Sequence, residues 1–164
     1  MNLLQQYITT LSAELETPLE LDNPKEFLSI QDDRAFLIQE IGDSESILLY
    51  KEIGGLPPMF QGDMALELLS ANLLLAETRG ASFSYNRDTG HIGLNLLVDA
   101  RQLTAASLAP IVEGFLALAD EWEQKLEERM LHLARQDKDE ENLLFDPSDD
   151  ETEGSGEQPH PLFA

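Results

Sequence analysis

The chain has 164 residues, enough for one domain with a sizeable core, and a formal net charge of -22 from 32 acidic and 10 basic residues. That balance argues against nucleic acid or another phosphate-rich partner, whose neutralisation needs clustered Lys and Arg. The absence of cysteine excludes disulfides, thiol catalysis and thiolate metal sites.

The N-terminal MNLLQQYITTL has neither the basic start nor the continuous apolar core of a signal peptide. No run approaches the ~18 apolar residues of a membrane span, so a soluble intracellular chain without such a span is expected. Leu3, Leu4, Tyr7, Ile8, Leu11 and Leu15 recur at helical spacing, which predicts an amphipathic helix over residues 2–16, stopped by Pro18. Three β-prone segments follow: EFLSI (26–30), AFLIQEI (35–41) and SILLYKEI (46–53). Turn signals at Asp32-Asp33 and Gly42-Asp43-Ser44 separate them into two successive hairpins.

Gly54-Gly55 and Pro57-Pro58 end that meander, and a second helix is expected from Asp63 to a C-terminal cap at Gly80. Between Met64 and Ala76 it carries only Glu67, Ser70 and Asn72 as polar residues. A helix apolar on every side is buried on every side: either the domain itself encloses it as a central helix, or, the preferred reading in so small a domain, a second copy of the chain supplies the missing cover. ASFSYN and GHIGLNLLVD read as another hairpin around residues 86–90. A long helix then runs from about Thr104 to Arg135, with Leu108, Ile111, Val112, Phe115, Ala119, Trp122, Leu126, Met130 and Leu133 as its apolar stripe. Pro110 fits only its first turn, which would delay the regular part.

The composition shifts at Asp137. Residues 137–164 hold ten acids and one Lys among Gly, Pro and Ser, a composition that predicts disorder. The expected organisation is therefore a domain over 1–136 and an acidic tail over 137–164. The element order α-β-β-β-α-β-β-α defines an α+β fold with a twisted, largely antiparallel sheet.

The strands pose a problem of cover. Phe36 and Ile38 lie on one face of their strand, with Leu37 and Ile41 on the other. Ile47, Leu49 and Ile53 likewise oppose Leu48 and Tyr50, and Glu40 and Glu52 make the second face more polar. Either helices cover both faces, or part of one face is left for another chain.

Catalytic constellations are missing. His91, His132 and His160 have no mutual metal-ligand spacing, and no GxSxG, GxGxxG or Walker loop occurs. The acids of the last helix read as its solvated face. Asp146, Ser148 and Asp150 begin like a calcium loop, but Glu151 stands where Gly is required. No enzyme, cofactor or metal is expected.

Leu56-Pro57, Leu69, Asn72 and Gly80, then Tyr85, Gly90, Leu94, Leu96 and Leu103, and finally Leu108, Phe115, Ala119 and Trp122 follow in a characteristic order and spacing. Over residues 2–135 this pattern resembles the class I type III secretion chaperones, the Tir-chaperone (CesT-like) family. The resemblance implies a small acidic homodimer of the bacterial cytoplasm, without ATPase activity, that binds the N-terminal segment of one or more secreted effectors in extended form. It adds the secretion ATPase or sorting platform as a further partner. By the same resemblance Leu66, Leu69, Leu73 and Tyr85 fall at the dimer interface, and Phe27, Phe36, Ile38, Leu48 and Tyr50 at the effector-binding patches. Family members end soon after the last helix, so the tail, including its terminal HPLFA, is unexplained by it. The alternative is an acidic regulatory module on the same fold, an anti-activator or a DNA-mimic inhibitor.

Overall fold

A computed structural model describes residues 2–14, 19–21, 23–31, 33–42 and 45–144. The elements run α1 (Leu3–Glu14), β1 (Glu26–Gln31), β2 (Arg34–Ile41), β3 (Ser46–Gly55), α2 (Gln61–Ala71), β4 (Ser82–Asn86), β5 (His91–Asp99) and α3 (Ala105–Leu144). This is the expected order. The five strands form one sheet in the order β1-β2-β3-β5-β4, and every pairing is antiparallel. Pro18, Asp32, Asp43 and Ser44, on which the first stop and turn signals rest, lie outside the described residues.

The chain divides into two units, Met1–Met130 and Leu131–Ala164. In the second, the described residues are the last turns of α3, which continue to Leu144 rather than ending near Arg135. Residues 145–164 of the predicted tail lie outside the described residues.

Registers sort the strand residues into two faces. Phe27, Ile38, Leu49 and Leu96 are successive cross-strand partners and share one face. Ile38, Leu49, Ile47 and Leu94 on that face are fully buried. Helices lie over it. Arg34 pairs with Glu123 and Lys51 with Asp120, tying β2 and β3 to α3, while Phe83 of β4 meets Trp122 edge-on at 4.7 Å. Arg129 Nε, at 2.7 Å from Glu67 Oε2, ties α3 to α2.

Glu40 also points to this face and not to the other one, correcting the sequence reading. Its carboxylate accepts the Leu4 N–H at 3.1 Å and the Asn2 side chain at 3.2 Å. Asn2 in turn caps the Gln5 N–H at 2.8 Å. A buried acid is tolerated here because the first turn of α1 offers unpaired N–H donors and the positive end of its dipole.

Two helix ends differ from expectation. Pro110 sits in the second turn of α3, which already starts at Ala105 behind a reciprocal Thr104–Ser107 cap. The proline removes only one bond there, close to an exposed terminus. The end of α2 matters more. It stops at Ala71, not at Gly80, because the next side chain is used elsewhere: Asn72 Oδ1 accepts the Phe83 N–H at 2.8 Å. The chain then makes a short 3-10 turn, Leu73–Leu75, with Leu74 at φ 59 and Leu75 at φ 52. Thr78 and Ala81, fully buried, anchor the segment from below. Leu74 is left 87% exposed.

Candidate functional site

Two apolar surfaces stand out, one on α2 and one on the sheet. Along α2, Met64, Leu68 and Ala71 face the core. Leu66 and Leu69, on the opposite side, are 70% and 64% exposed, and Leu73 continues their stripe. Tyr85 of the edge strand β4 is also exposed. Between α2 and β4–β5 runs a groove of about 310 Å3 lined by Leu56, Ala65, Leu69, Phe83, Tyr85 and Ile92. Gln61 bridges it, its amide donating to the Tyr85 hydroxyl at 3.3 Å. Of the four residues assigned to a dimer interface, Leu69 and Tyr85 line this groove, while Leu66 and Leu73 are exposed on the outer side of α2 and in the turn after it. Their neighbours Leu74 and Leu75 were not anticipated, because a continuous helix would have turned them in other directions.

The face of the sheet opposite the helices is the second surface. Leu28, Leu37, Tyr50 and Asn95 are cross-strand partners on it, as are Gln39, Leu48 and Leu97 in the next row. Leu28, Ile30, Ile41 and Leu97 are exposed, and Leu37, Leu48 and Tyr50 are half-buried. No described helix covers them. An antiparallel sheet usually turns polar side chains to such a face.

The five residues assigned to effector binding are therefore split. Leu48 and Tyr50 lie on the uncovered face. Ile38 is fully buried beneath the helices and has no surface to offer a partner, so that assignment is corrected. Phe27 and Phe36 share the covered face with it, each half-buried. Phe36 also lines a mixed groove of about 450 Å3 with Ser29, Arg34, Lys51, Leu116 and Asp120. Alternation within a strand groups residues by face but does not say which face the helices choose. The exposure of Leu28, Ile30 and Leu97 was not anticipated for that reason, although the apolar alternation of β1 was a usable signal.

Tyr50 has a built environment on the open face. A Cβ on Gly93 would stand 2.2 Å from Tyr50 Cε2, so the ring needs a glycine beneath it. Its hydroxyl donates to Glu52 Oε1 at 3.2 Å, and Glu52 Oε2 lies 3.6 Å from His91 Nδ1. Burial, then the charge and hydrogen bond of Glu52, push the Tyr50 phenol up to about 12. A raised folded value means that the native state holds this proton after the unfolded chain has lost it. The associated stability is complete below pH ~10 and is lost as pH rises towards 12. Tyr7, raised by burial, works in the same direction, so a difference measurement isolates Tyr50. Tyr50→Phe should flatten the loss of thermal stability between pH ~10 and ~12 relative to wild type. Parallel melting curves across that range would remove the role given to this proton.

Among the described residues, no group of three or more His, Asp or Glu is placed to hold a metal ion, and no helix is long and apolar enough to cross a membrane.

The sequence profile of the Tir chaperone protein (CesT) family matches residues 6–123. No curated relative matches the chain. Among solved structures, a chain of the ExsC–ExsE complex is similar with a TM-score of 0.63 at 19% identity, covering 76% of this chain and 96% of its own. A chain of the HopA1–SchA chaperone–effector complex has a TM-score of 0.57 at 19% identity, covering 77% and 94%. YbjN, a proposed transcription regulator from E. coli, also reaches 0.57, at 14% identity, covering 77% and 90%. Likeness at these identities establishes a shared fold.

Proposed function

This chain belongs to the Tir chaperone protein (CesT) family, and from that premise we propose that it is a non-enzymatic chaperone of type III secretion effectors in the bacterial cytoplasm. It would bind the N-terminal region of one or more effectors, extended along its surface, and keep that region soluble and competent for secretion. The observation that carries this reading is the uncovered apolar face of the sheet, with Leu28, Ile30, Leu48, Tyr50 and Leu97. Covering each large aliphatic side chain there would contribute ~1.5–3 kcal/mol, a sufficient reason for a cargo segment to remain bound. Two copies pair in this reading through the outer stripe of α2 and the groove beside β4. The secretion ATPase or sorting platform would then receive the loaded dimer.

A chain of the HopA1–SchA chaperone–effector complex shares the fold and supports the reading. The second reading, an acidic regulatory module, is favoured by the equally similar fold of YbjN. Co-expression separates them. The chain should co-purify with the N-terminal region of a type III effector from its own bacterium and raise that region's soluble yield. A stable complex with a transcription regulator, and with none of the effectors, would replace the first reading by the second.

A further inference from the structure

We propose that the uncovered sheet face receives an amphipathic helix of the bound protein, apolar along one stripe and flanked by Lys or Arg. This rests on the reading that cargo contacts that face, and it specifies what part of the cargo lies there.

The first argument is hydrogen bonding. The N–H and C=O groups of the five strands are directed along the plane of the sheet, into their antiparallel ladders. A segment laid over the face meets side chains alone: Leu28, Leu37, Tyr50, Leu48 and Leu97. A stretch of the otherwise extended cargo that crossed this face as a strand would turn some of its backbone groups onto apolar atoms, at a cost of roughly 1–3 kcal/mol for each unsatisfied group. A helix satisfies its backbone internally. Strand addition belongs to a sheet edge, and at the β4 edge Asn72 already occupies Phe83, accepting its N–H at 2.8 Å and donating to its C=O at 3.4 Å.

Dimensions agree. From β1, which carries Leu28, to β5, which carries Leu97, there are three inter-strand steps. At ~4.8 Å each they span ~14 Å, the length of about ten helical residues, or nearly three turns.

Charge gives the second specification. At strand positions the uncovered face carries Glu26 and Asp99, the buried Glu52 with His91 beside it, and neither Lys nor Arg. Asp99 is neutralised by its ion pair with Arg101, whereas Glu26 accepts a hydrogen bond only from the neutral Gln39 amide and keeps its charge. The two strand cations, Arg34 and Lys51, are turned to the other face and engaged by Asp120 and Glu123. With a chain charge of -22 behind it, this face attracts basic flanks and repels acidic ones.

The test uses three labelled synthetic peptides of about 18 residues titrated into the full chain by fluorescence anisotropy. One is an amphipathic helix with a Leu stripe and Lys flanks; the second replaces Lys by Glu; the third keeps the Lys but carries two central prolines. The Lys peptide should bind at least roughly tenfold more tightly than either relative, lose affinity with added salt, and lose about tenfold again against Leu97→Asp. Equal binding of the proline peptide overturns the helix, and equal binding of the Glu peptide overturns the charge rule. No binding of the Lys peptide, or unchanged affinity for Leu97→Asp, overturns the site. The co-purification experiment is read separately. An effector complex that forms on wild type and survives Leu97→Asp unweakened sinks this inference and leaves the chaperone function standing. Peptide binding without any effector complex does the reverse.

Discussion

If the chain pairs through α2 as proposed, Leu69→Asp and Leu73→Asp should each convert that homodimer into a monomer or an insoluble chain. Leu69 is 64% exposed and Leu73 is 70% exposed in the single chain, so neither contributes much to the protomer's own core. In a twofold interface, however, each substitution is introduced twice, once from either copy. Every leucine removed from the interface forfeits ~1.5–3 kcal/mol of burial, and the carboxylate replacing it must be desolvated without a partner. The dimer dissociation constant should therefore rise by a factor of about 1,000 or more, equivalent to ~4 kcal/mol. Sedimentation velocity checks the mass, and circular dichroism checks that the variants stay folded. If both variants remain soluble and sediment as wild type does, the α2 stripe is not the interface. Leu74, at 87% exposure beside them, strengthens the expectation, because it extends the exposed apolar patch that a partner would cover.

The second large effect is on the fold itself. Ile38→Ala should lower stability by roughly 2–5 kcal/mol, since Ile38 is fully buried between its cross-strand partners Phe27 and Leu49 and its loss leaves a cavity. For a chain of this size that is a fall in Tm of very roughly 5–15 °C, measured at equal protein concentration because association also adds stability. Cargo affinity at a temperature where the variant is folded should be unchanged. Leu48→Ala is the counterpart: half-buried on the uncovered face, it should weaken cargo binding with a smaller change in Tm. A variant at Ile38 that keeps wild-type Tm but loses cargo would return that residue to the binding surface.

The contrast between those neighbours shows how far the sequence could be read. Period-two alternation correctly grouped Phe36 with Ile38 and Leu48 with Tyr50. It also flagged that both groups were too apolar for a sheet with one wet face. It could not say which group the helices would bury, because hydrophobicity is non-directional and both faces qualify. The decision is made by long-range contacts: α3 carries Asp120 and Glu123 to Lys51 and Arg34, and the first turn of α1 takes Glu40. Both cations and Glu40 occupy one face, and their partners hold the helices there.

The end of α2 teaches a similar lesson. Local propensity over residues 72–79 favours helix, with Gly80 as its cap. Asn72 instead gives its side chain to the backbone of Phe83, and the chain leaves the helix to let β4 pass. A tertiary hydrogen bond to an otherwise open strand edge outweighed a few tenths of a kcal/mol per residue of helix preference. The pattern around Asn72 and Gly80 nevertheless carried the family resemblance.

By itself, the sequence determined the order of elements, the antiparallel class of the sheet, the apolar excess on α2 and on the strands, and the family. These follow from local periodicity, turn chemistry and spacing, which are properties of the chain read in order. Only the tertiary structure decided which sheet face is left open, that Ile38 is core while Leu28, Ile30 and Leu97 are surface, and that the α2 leucines emerge beside Tyr85. Those outcomes depend on side chains far apart in sequence competing for the same cover, and only their arrangement in space settles which apolar surface is buried and which remains for a partner.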